Sequence, residues 1–374
     1  MKAIVSGGGT GGHIYPALAI AGALKKSGCE VLFMGGQKSP DGQGAAPEEK
    51  AAQNAGFAYQ AVPASGLHLR RLTLGKEIFT NLQGWRQAKT HIKKFKPDIV
   101  IGCGGYAAAP VLRAAQSLGI PTLLHEQNAY PGRANRYLAK RAKGICQTFA
   151  ASASFFPAQT PMFLTGLPVR QAVLHTGRQQ AWDFFGIDGA ERDIPTVLIT
   201  GGSQGAQSIN KAALDAYARL LDADVRIVHL CGKKNYPQLR QAAPQHPRLL
   251  LYPYLEQMEY ALALADLAVA RAGASFIAEI ACLGLPSLLI PFPYAAGDHQ
   301  TANAQAMAAA GAAEMIGDAG LNGDLLAEKA LAFIHDPAKR QKMSEAAKSL
   351  AKPQAAEHIC QIAKDIIEEN SARR

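Results

Sequence analysis

Short apolar runs rich in β-branched residues alternate along the chain with longer, alanine-rich stretches of helical character. The strand candidates of the first part are Lys2–Ser6, Glu30–Met34, Ile99–Gly102, Thr122–His125 and Gly144–Thr148. After Thr165 the pattern restarts with Thr196–Thr200, Arg226–Cys231, Arg248–Tyr252, Leu267–Ala270 and Ser287–Pro291. Near-continuous apolar strands separated by helices imply parallel sheets covered on both faces. The predicted class is therefore α/β, as two doubly wound, Rossmann-like domains. A length of 374 residues also exceeds one ordinary core. Gly166 and Pro168 punctuate the stretch Leu164–Arg170, which sets the domains at 1–165 and 166–352. A last helix, about 353–374, follows Pro353 and is free to cross back onto the first domain.

Glycines sharpen this picture. The first strand runs into Gly7-Gly8-Gly9-Thr10-Gly11-Gly12-His13, and a helix is predicted over Ile14–Lys26. Small residues at a strand-to-helix turn leave backbone N–H groups bare beside the positive end of the helix dipole, which suits a phosphate. Two similar turns follow other strands, Gly102-Cys103-Gly104-Gly105-Tyr106 and Gly201-Gly202-Ser203-Gln204-Gly205. All three stand at strand carboxyl ends, where doubly wound sheets bind ligands, and are expected to face one central cleft. Residues 7–12 also satisfy Gly-x-Gly-x-x-Gly. A dinucleotide site wants an acidic residue at the end of the second strand, however, and that strand ends Phe33-Met34-Gly35-Gly36-Gln37. His13 either caps its helix or serves as a general base beside a phosphate.

Further chemistry lies in the second half. Arg271-Ala272-Gly273-Ala274-Ser275-Phe276-Ile277-Ala278-Glu279 follows a strand and opens a helix. Its small residues admit a ligand to the backbone. Glu279, read as a first-turn residue, either accepts ribose hydroxyls or partners the helix dipole. The loop from Pro291 to Asn303 offers Asp298 or His299 as a cap and Gln300 as a sugar contact. Asp222-Ala223-Asp224 matches the Asp-x-Asp of metal-dependent sugar transferases. It falls between a helix and a strand, away from the predicted cleft, and reads as a solvated turn.

Charge is unevenly placed. The formal net charge is +10, yet residues 1–165 hold 19 Lys+Arg against 7 Asp+Glu, so the first half meets something anionic. Within it, Leu67–Lys96 mixes Leu69, Leu72, Leu74, Ile78, Phe79, Leu82 and Trp85 with Arg70, Arg71, Lys76, Arg86 and several lysines. This is either an ordinary core-facing helix or, over Leu69–Trp85, a patch that enters an anionic membrane surface. No nucleic-acid module is recognisable. Six scattered cysteines with no Cys-x-x-Cys pair fit a reducing compartment rather than a zinc site or disulfide framework. No signal peptide is expected, since Met1 leads directly into the first strand. The uncharged stretch 280–297 contains Pro286, Pro291 and Pro293, and reads as helix end, strand and loop rather than a membrane span.

In order, the stretches Gly7–Pro16, Gly102–Pro110, His125–Asn128 (HEQN), Thr165–Arg170, Gly201–Gly205, Arg271–Glu279 and Asp298–Ala304 span nearly the whole chain. Together they resemble the MurG glycosyltransferase family, which transfers N-acetylglucosamine from UDP-N-acetylglucosamine to lipid I. The resemblance implies a GT-B fold, with the acceptor and membrane on the first domain and the donor on the second. Position by position, it implies that Thr10, Gly11 and Gly12 line the donor sugar and phosphates. Asn128, Arg170, Ser203 and Gln300 contact the nucleotide sugar. Leu255 and Ala274, Ser275, Phe276, Ile277, Ala278 and Glu279 hold uracil and ribose, and His13 matches the family's proposed base. Two departures stand out: Leu167 replaces the usual Asn of Thr-Gly-Asn-Pro-Val-Arg, and Gln37–Gln53 differs after the second strand.

The resemblance implies an inverting transfer to the 4-hydroxyl of the muramyl sugar, giving lipid II at the cytoplasmic face of the membrane. It implies no cofactor and no metal. Implied partners are the UDP-sugar, lipid I, an anionic membrane surface and, further, other cell-wall synthesis proteins; nucleic acid is not among them. The rivals are a GT-B enzyme with another acceptor such as diacylglycerol, a UDP-N-acetylglucosamine 2-epimerase, and a membrane scaffold without chemistry. An epimerase needs added carboxylates around the sugar, and no clear set is visible.

Overall fold

The computed structural model describes residues 1–38, 44–66 and 74–372. Contacts divide the chain into two units, Met1–Pro168 with the C-terminal stretch from Gln354, and Val169–Pro353.

The first unit is built on a seven-stranded sheet in the order β3-β2-β1-β4-β5-β6-β7. Its strands are β1 (Lys2–Ser6), β2 (Glu30–Gly36), β3 (Ala58–Val62), β4 (Ile99–Gly102), β5 (Thr122–Glu126), β6 (Gly144–Gln147) and β7 (Met162–Leu164). Every pairing is parallel. The central strands are buried throughout, which their unbroken apolar runs require. One face packs Ala17, Ile20, Ala21 and Leu24 of the Gly11–Lys26 helix against Ile359, Ile362, Ala363 and Ile366 of the C-terminal Ala355–Ala372 helix. Burying each of those isoleucines is worth about 1.5–3 kcal/mol, which binds the last helix to this core. The other face packs Ala88 and Ile92 of the Leu74–Phe95 helix with Val111 and Leu112 of the Ala108–Ser117 helix.

The second unit repeats the order as β10-β9-β8-β11-β12-β13. Its strands are β8 (Thr196–Thr200), β9 (Arg226–Leu230), β10 (Leu249–Tyr252), β11 (Leu267–Ala270), β12 (Ser287–Leu289) and β13 (Glu314–Met315), again all parallel. The Gln207–Asp222 and Gly323–Ile334 helices supply Ile209, Ala213, Tyr217, Leu326 and Phe333 to its core.

In both sheets the strand order reverses beside the first strand of the unit, between β1 and β4 and between β8 and β11. That reversal opens a crevice at the strand carboxyl ends. Register places the turns at one level, with Ser6 opposite Gly102 and Thr200 opposite Ala270. The edge strands β3, β7 and β13 were absent from the periodicity reading. The first helix begins at Gly11, three residues before the predicted start. Residues 280–297 are a helix end, β12 and a loop, and among the described residues no helix is long and apolar enough to cross a membrane.

Candidate active site

In the first unit, the turns after β1 and β4 pack on each other at the strand reversal. Gly104 and Gly105 have φ of +81° and +80°, and a Cβ on Gly105 would strike the Gly8 carbonyl. Only glycine combines that conformation with that approach. The first turn is not a fully bare phosphate cradle. Glu48, from the Pro47–Asn54 helix, is fully buried and accepts the Gly9 N–H at 3.2 Å and the Gly36 N–H at 3.0 Å. An internal carboxylate thus takes part of the turn, because buried N–H groups need an acceptor. The open portion is Thr10, Gly11 and Gly12, all exposed at the start of the first helix. Thr10 makes no side-chain cap there.

His13 is the third helical residue, and its half-buried ring turns toward the second glycine turn. Its Nδ1 lies 2.9 Å from the Cys103 carbonyl and 3.1 Å from Gln127 Oε1. Gln127 is buried, and its Nε2 donates to the Cys103 carbonyl at 2.8 Å and to His125 Nδ1 at 2.9 Å. Beyond it, His125 Nε2 donates to the Gly166 carbonyl at 3.0 Å. Burial drives the His125 pKa down to about 4, so the ring stays neutral. Asn128 is half-buried, and its N–H is held by the buried carboxylate of Glu126, which also accepts from the Asn135 side chain at 2.8 Å. Leu167, where the polar family residue is missing, is buried.

In the second unit, Ser203 and Gln204 are exposed in the turn after β8. Gly202 donates to Thr200 Oγ1 and Gly205 to the Gly202 carbonyl, which shapes the turn from within. Gly205, at φ +73°, allows the Cys231 carbonyl to lie directly against it. After β11 the Ala274–Leu283 helix starts at Gly273. Glu279 is therefore its sixth residue, in the second turn, and the first-turn dipole reading falls. Its carboxylate is buried and accepts from Arg170 Nε at 2.8 Å. Burial pushes this carboxyl above its usual range, against the pull of Arg170.

The rest of the run lines the same helix start. Ala274 and Ile277 are buried, Ser275, Phe276 and Ala278 half-buried, and Ser275 Oγ is enclosed without a hydrogen-bond partner. Leu255 is half-buried just beyond β10, and Gln300 Oε1 accepts the Phe292 N–H at 3.0 Å. Asp222 ends a helix and Asp224 pairs with Arg248 at the opposite, amino end of the strands, which makes Asp-x-Asp a structural turn. Among the described residues no group of three or more His, Cys, Asp or Glu is placed to hold a metal ion. Gln127, His125, Glu126 and Glu48 went unassigned in the sequence reading. The His-Glu-Gln-Asn run at a strand's carboxyl end was the available signal for three of them.

The basic apolar patch is described only in part. Leu67, Leu69, Arg70, Arg71 and Leu72 lie outside the described residues. On the Leu74–Phe95 helix, Ile78 and Phe79 are 54% and 56% exposed and Leu82 is 40% exposed, beside exposed Lys76 and Arg86. The helix faces the core through Ala88 and Ile92 and leaves these three exposed.

The glycosyltransferase family 28 N-terminal domain model matches residues 3–147, and the family 28 C-terminal domain model matches 196–359. The chain is 39% identical to the UDP-N-acetylglucosamine–N-acetylmuramyl-(pentapeptide) pyrophosphoryl-undecaprenol N-acetylglucosamine transferase of Desulforamulus reducens, over 98% of this chain and 99% of that one. It resembles the crystal structure of Acinetobacter baumannii MurG with a TM-score of 0.74 and 29% identity, covering 97% of this chain and 99% of that one. A UDP-N-acetylglucosamine 2-epimerase structure from Listeria monocytogenes, described as putative, shares the fold at a TM-score of 0.70 and 17% identity, over 98% and 97% of the two chains. Two parallel α/β units of the GT-B class, both family domains and near full-length identity lead to one assignment: the chain belongs to the MurG family of glycosyltransferases.

Proposed function

We propose that this enzyme transfers N-acetylglucosamine from UDP-N-acetylglucosamine to lipid I, giving lipid II. The reaction is a single inverting displacement. The 4-hydroxyl of the muramyl sugar gives its proton to His13 Nε2, and its oxygen attacks the anomeric carbon of the donor. The bond from that carbon to the UDP oxygen breaks, and the α-linked donor becomes a β-linked product. The observation that carries this reading is the His13 ring, whose Nδ1 faces two acceptor oxygens and so leaves the lone pair on Nε2.

The second unit holds the donor. Ser203 and the N–H groups of its glycine turn, with the Ala274–Leu283 helix start, receive the diphosphate and the charge that develops as UDP leaves. These donors supply the stabilisation that other transferases draw from a metal, so the reaction runs without one. Glu279, held in place by Arg170, accepts the ribose hydroxyls. The enclosed Ser275 hydroxyl acquires its partner from the nucleotide. Leu255, Ala274, Phe276, Ile277 and Ala278 line the uracil and ribose, and Gln300 and Asn128 contact the sugar. Thr10, Gly11 and Gly12 address the sugar–phosphate linkage beside His13.

The first unit takes the acceptor, and Ile78, Phe79 and Leu82 with their basic neighbours seat it on the anionic cytoplasmic face of the membrane. Incubation with labelled UDP-N-acetylglucosamine and a lipid I analogue in chelator tests the whole reading. Transfer to lipid I supports it. Transfer to diacylglycerol, release of epimerised sugar, or a requirement for divalent metal contradicts it.

A further inference from the structure

We infer that Gln127, itself locked by His125, is a positioning residue that holds His13 in the tautomer with its proton on Nδ1. This rests on the reading of His13 as the base and extends it to a residue that makes no contact with the reacting atoms.

The assignment follows the hydrogen bonds inward from the backbone. Gly166 offers only a carbonyl, so His125 Nε2 must be the donor across 3.0 Å. A neutral imidazole carries one proton, so His125 Nδ1 is then an acceptor. Burial keeps His125 neutral, with its pKa near 4. The Gln127 amide nitrogen meets that acceptor at 2.9 Å, the Cys103 carbonyl at 2.8 Å and the His125 carbonyl at 3.2 Å. Turning the amide over would set its oxygen against three acceptors at once. Its orientation is therefore fixed, with Oε1 directed at His13 Nδ1 at 3.1 Å.

His13 Nδ1 consequently faces two oxygens, Gln127 Oε1 and the Cys103 carbonyl, and has to be the protonated nitrogen. Gly104 makes room for this contact, since a Cβ there would lie 3.1 Å from Nδ1. The Cys103 carbonyl could satisfy an Nδ1–H alone, but it already accepts from Gln127. The amide therefore adds both an acceptor for the ring and a fixed angle for it. The result is an Nε2 lone pair in a set direction, which a proton acceptor needs.

The test uses the full chain labelled with 15N-histidine, read at a pH where the rings are neutral. The His13 signal is identified by its loss in His13→Asn. The expected wild-type spectrum has Nδ1 protonated and Nε2 unprotonated. In Gln127→Leu, the Nε2–H form should gain population and kcat should fall roughly fivefold to tenfold, with KM for either substrate changing less than about twofold. A wild-type His13 that is mainly Nε2–H overturns the inference. So does a Gln127→Leu variant with unchanged spectrum and kcat. If Gln127→Leu does not fold, the wild-type spectrum decides alone. Retention of full kcat by His13→Asn would remove His13 as the base, while the tautomer assignment still stands or falls on the spectrum.

Discussion

The two units share a strand order and place their glycine turns at the same point of it, yet the polar groups beneath those turns end differently. In the second unit, Tyr217 donates to His229 Nδ1, His229 Nε2 donates to Asn210 Oδ1, and Asn210 donates to the Cys231 carbonyl that presses on Gly205. Each of these groups is buried, and burial drives the His229 pKa down to about 3. That network ends in backbone and fixes a floor under an open turn. In the first unit the corresponding network runs from Gly166 through His125 and Gln127 and ends on the half-buried ring of His13. The turn itself is partly filled by Glu48. One fold thus carries two arrangements, a turn underpinned by a network that closes on backbone in the second unit and a network that ends on an imidazole in the first; the proposed function assigns them to donor anion and proton acceptor.

The largest expected effect that would break this comparison is on turnover. His13→Ala should lower kcat by about 100-fold or more, the usual contribution of a positioned general base, in a steady-state assay with saturating donor. Next is the donor seat. Glu279→Gln should raise the Kd for UDP-N-acetylglucosamine roughly tenfold to 100-fold, as expected for hydrogen bonds to a buried charged group, while KM for lipid I stays within twofold. A comparable loss on the acceptor side would mean that Glu279 serves both substrates.

Two further outcomes concern stability. Both buried histidines have folded pKa values below the ordinary 6.5, so the unfolded chain binds more protons between that value and about pH 4. Stability should be full above pH 6.5 and fall by roughly 3 kcal/mol for each histidine as pH drops to 4, read from urea midpoints. Glu48→Ala should destabilise the first unit by about 1–3 kcal/mol through two unpaired N–H groups. The smallest effect is at the membrane. Neutralising Lys76 or Arg86 to Gln should weaken binding to anionic vesicles by roughly fivefold, at about 1 kcal/mol per charge; unchanged binding would place the contact elsewhere.

The alternation of runs, the restart after Thr165 and the glycine turns made the fold class legible, because each is a local pattern. Three edge strands escaped. Ala58–Val62, Met162–Leu164 and Glu314–Met315 are only partly buried, so their apolar signal is weak. Candidate site residues could be named from sequence where they belong to a glycine turn or the helix start behind it, as with His13, Ser203 and the 274–279 run. The site was not legible where a contact joins distant stretches: Gln127 lies 114 positions from His13, and Glu48 lies 39 from Gly9. Glu279 shows the finer limit. Its helix opens at Ala274 behind Gly273, which carries the carboxylate past the first turn and into contact with Arg170, an ion pair no spacing rule foretells.

The division of labour is tested most directly by calorimetric titration of UDP-N-acetylglucosamine into His13→Ala and Glu279→Ala, alongside their single-turnover rates. The account predicts that His13→Ala binds donor within about twofold of wild type and loses turnover, while Glu279→Ala loses donor affinity. Equal losses of affinity and turnover in His13→Ala would contradict it, making His13 a binding residue.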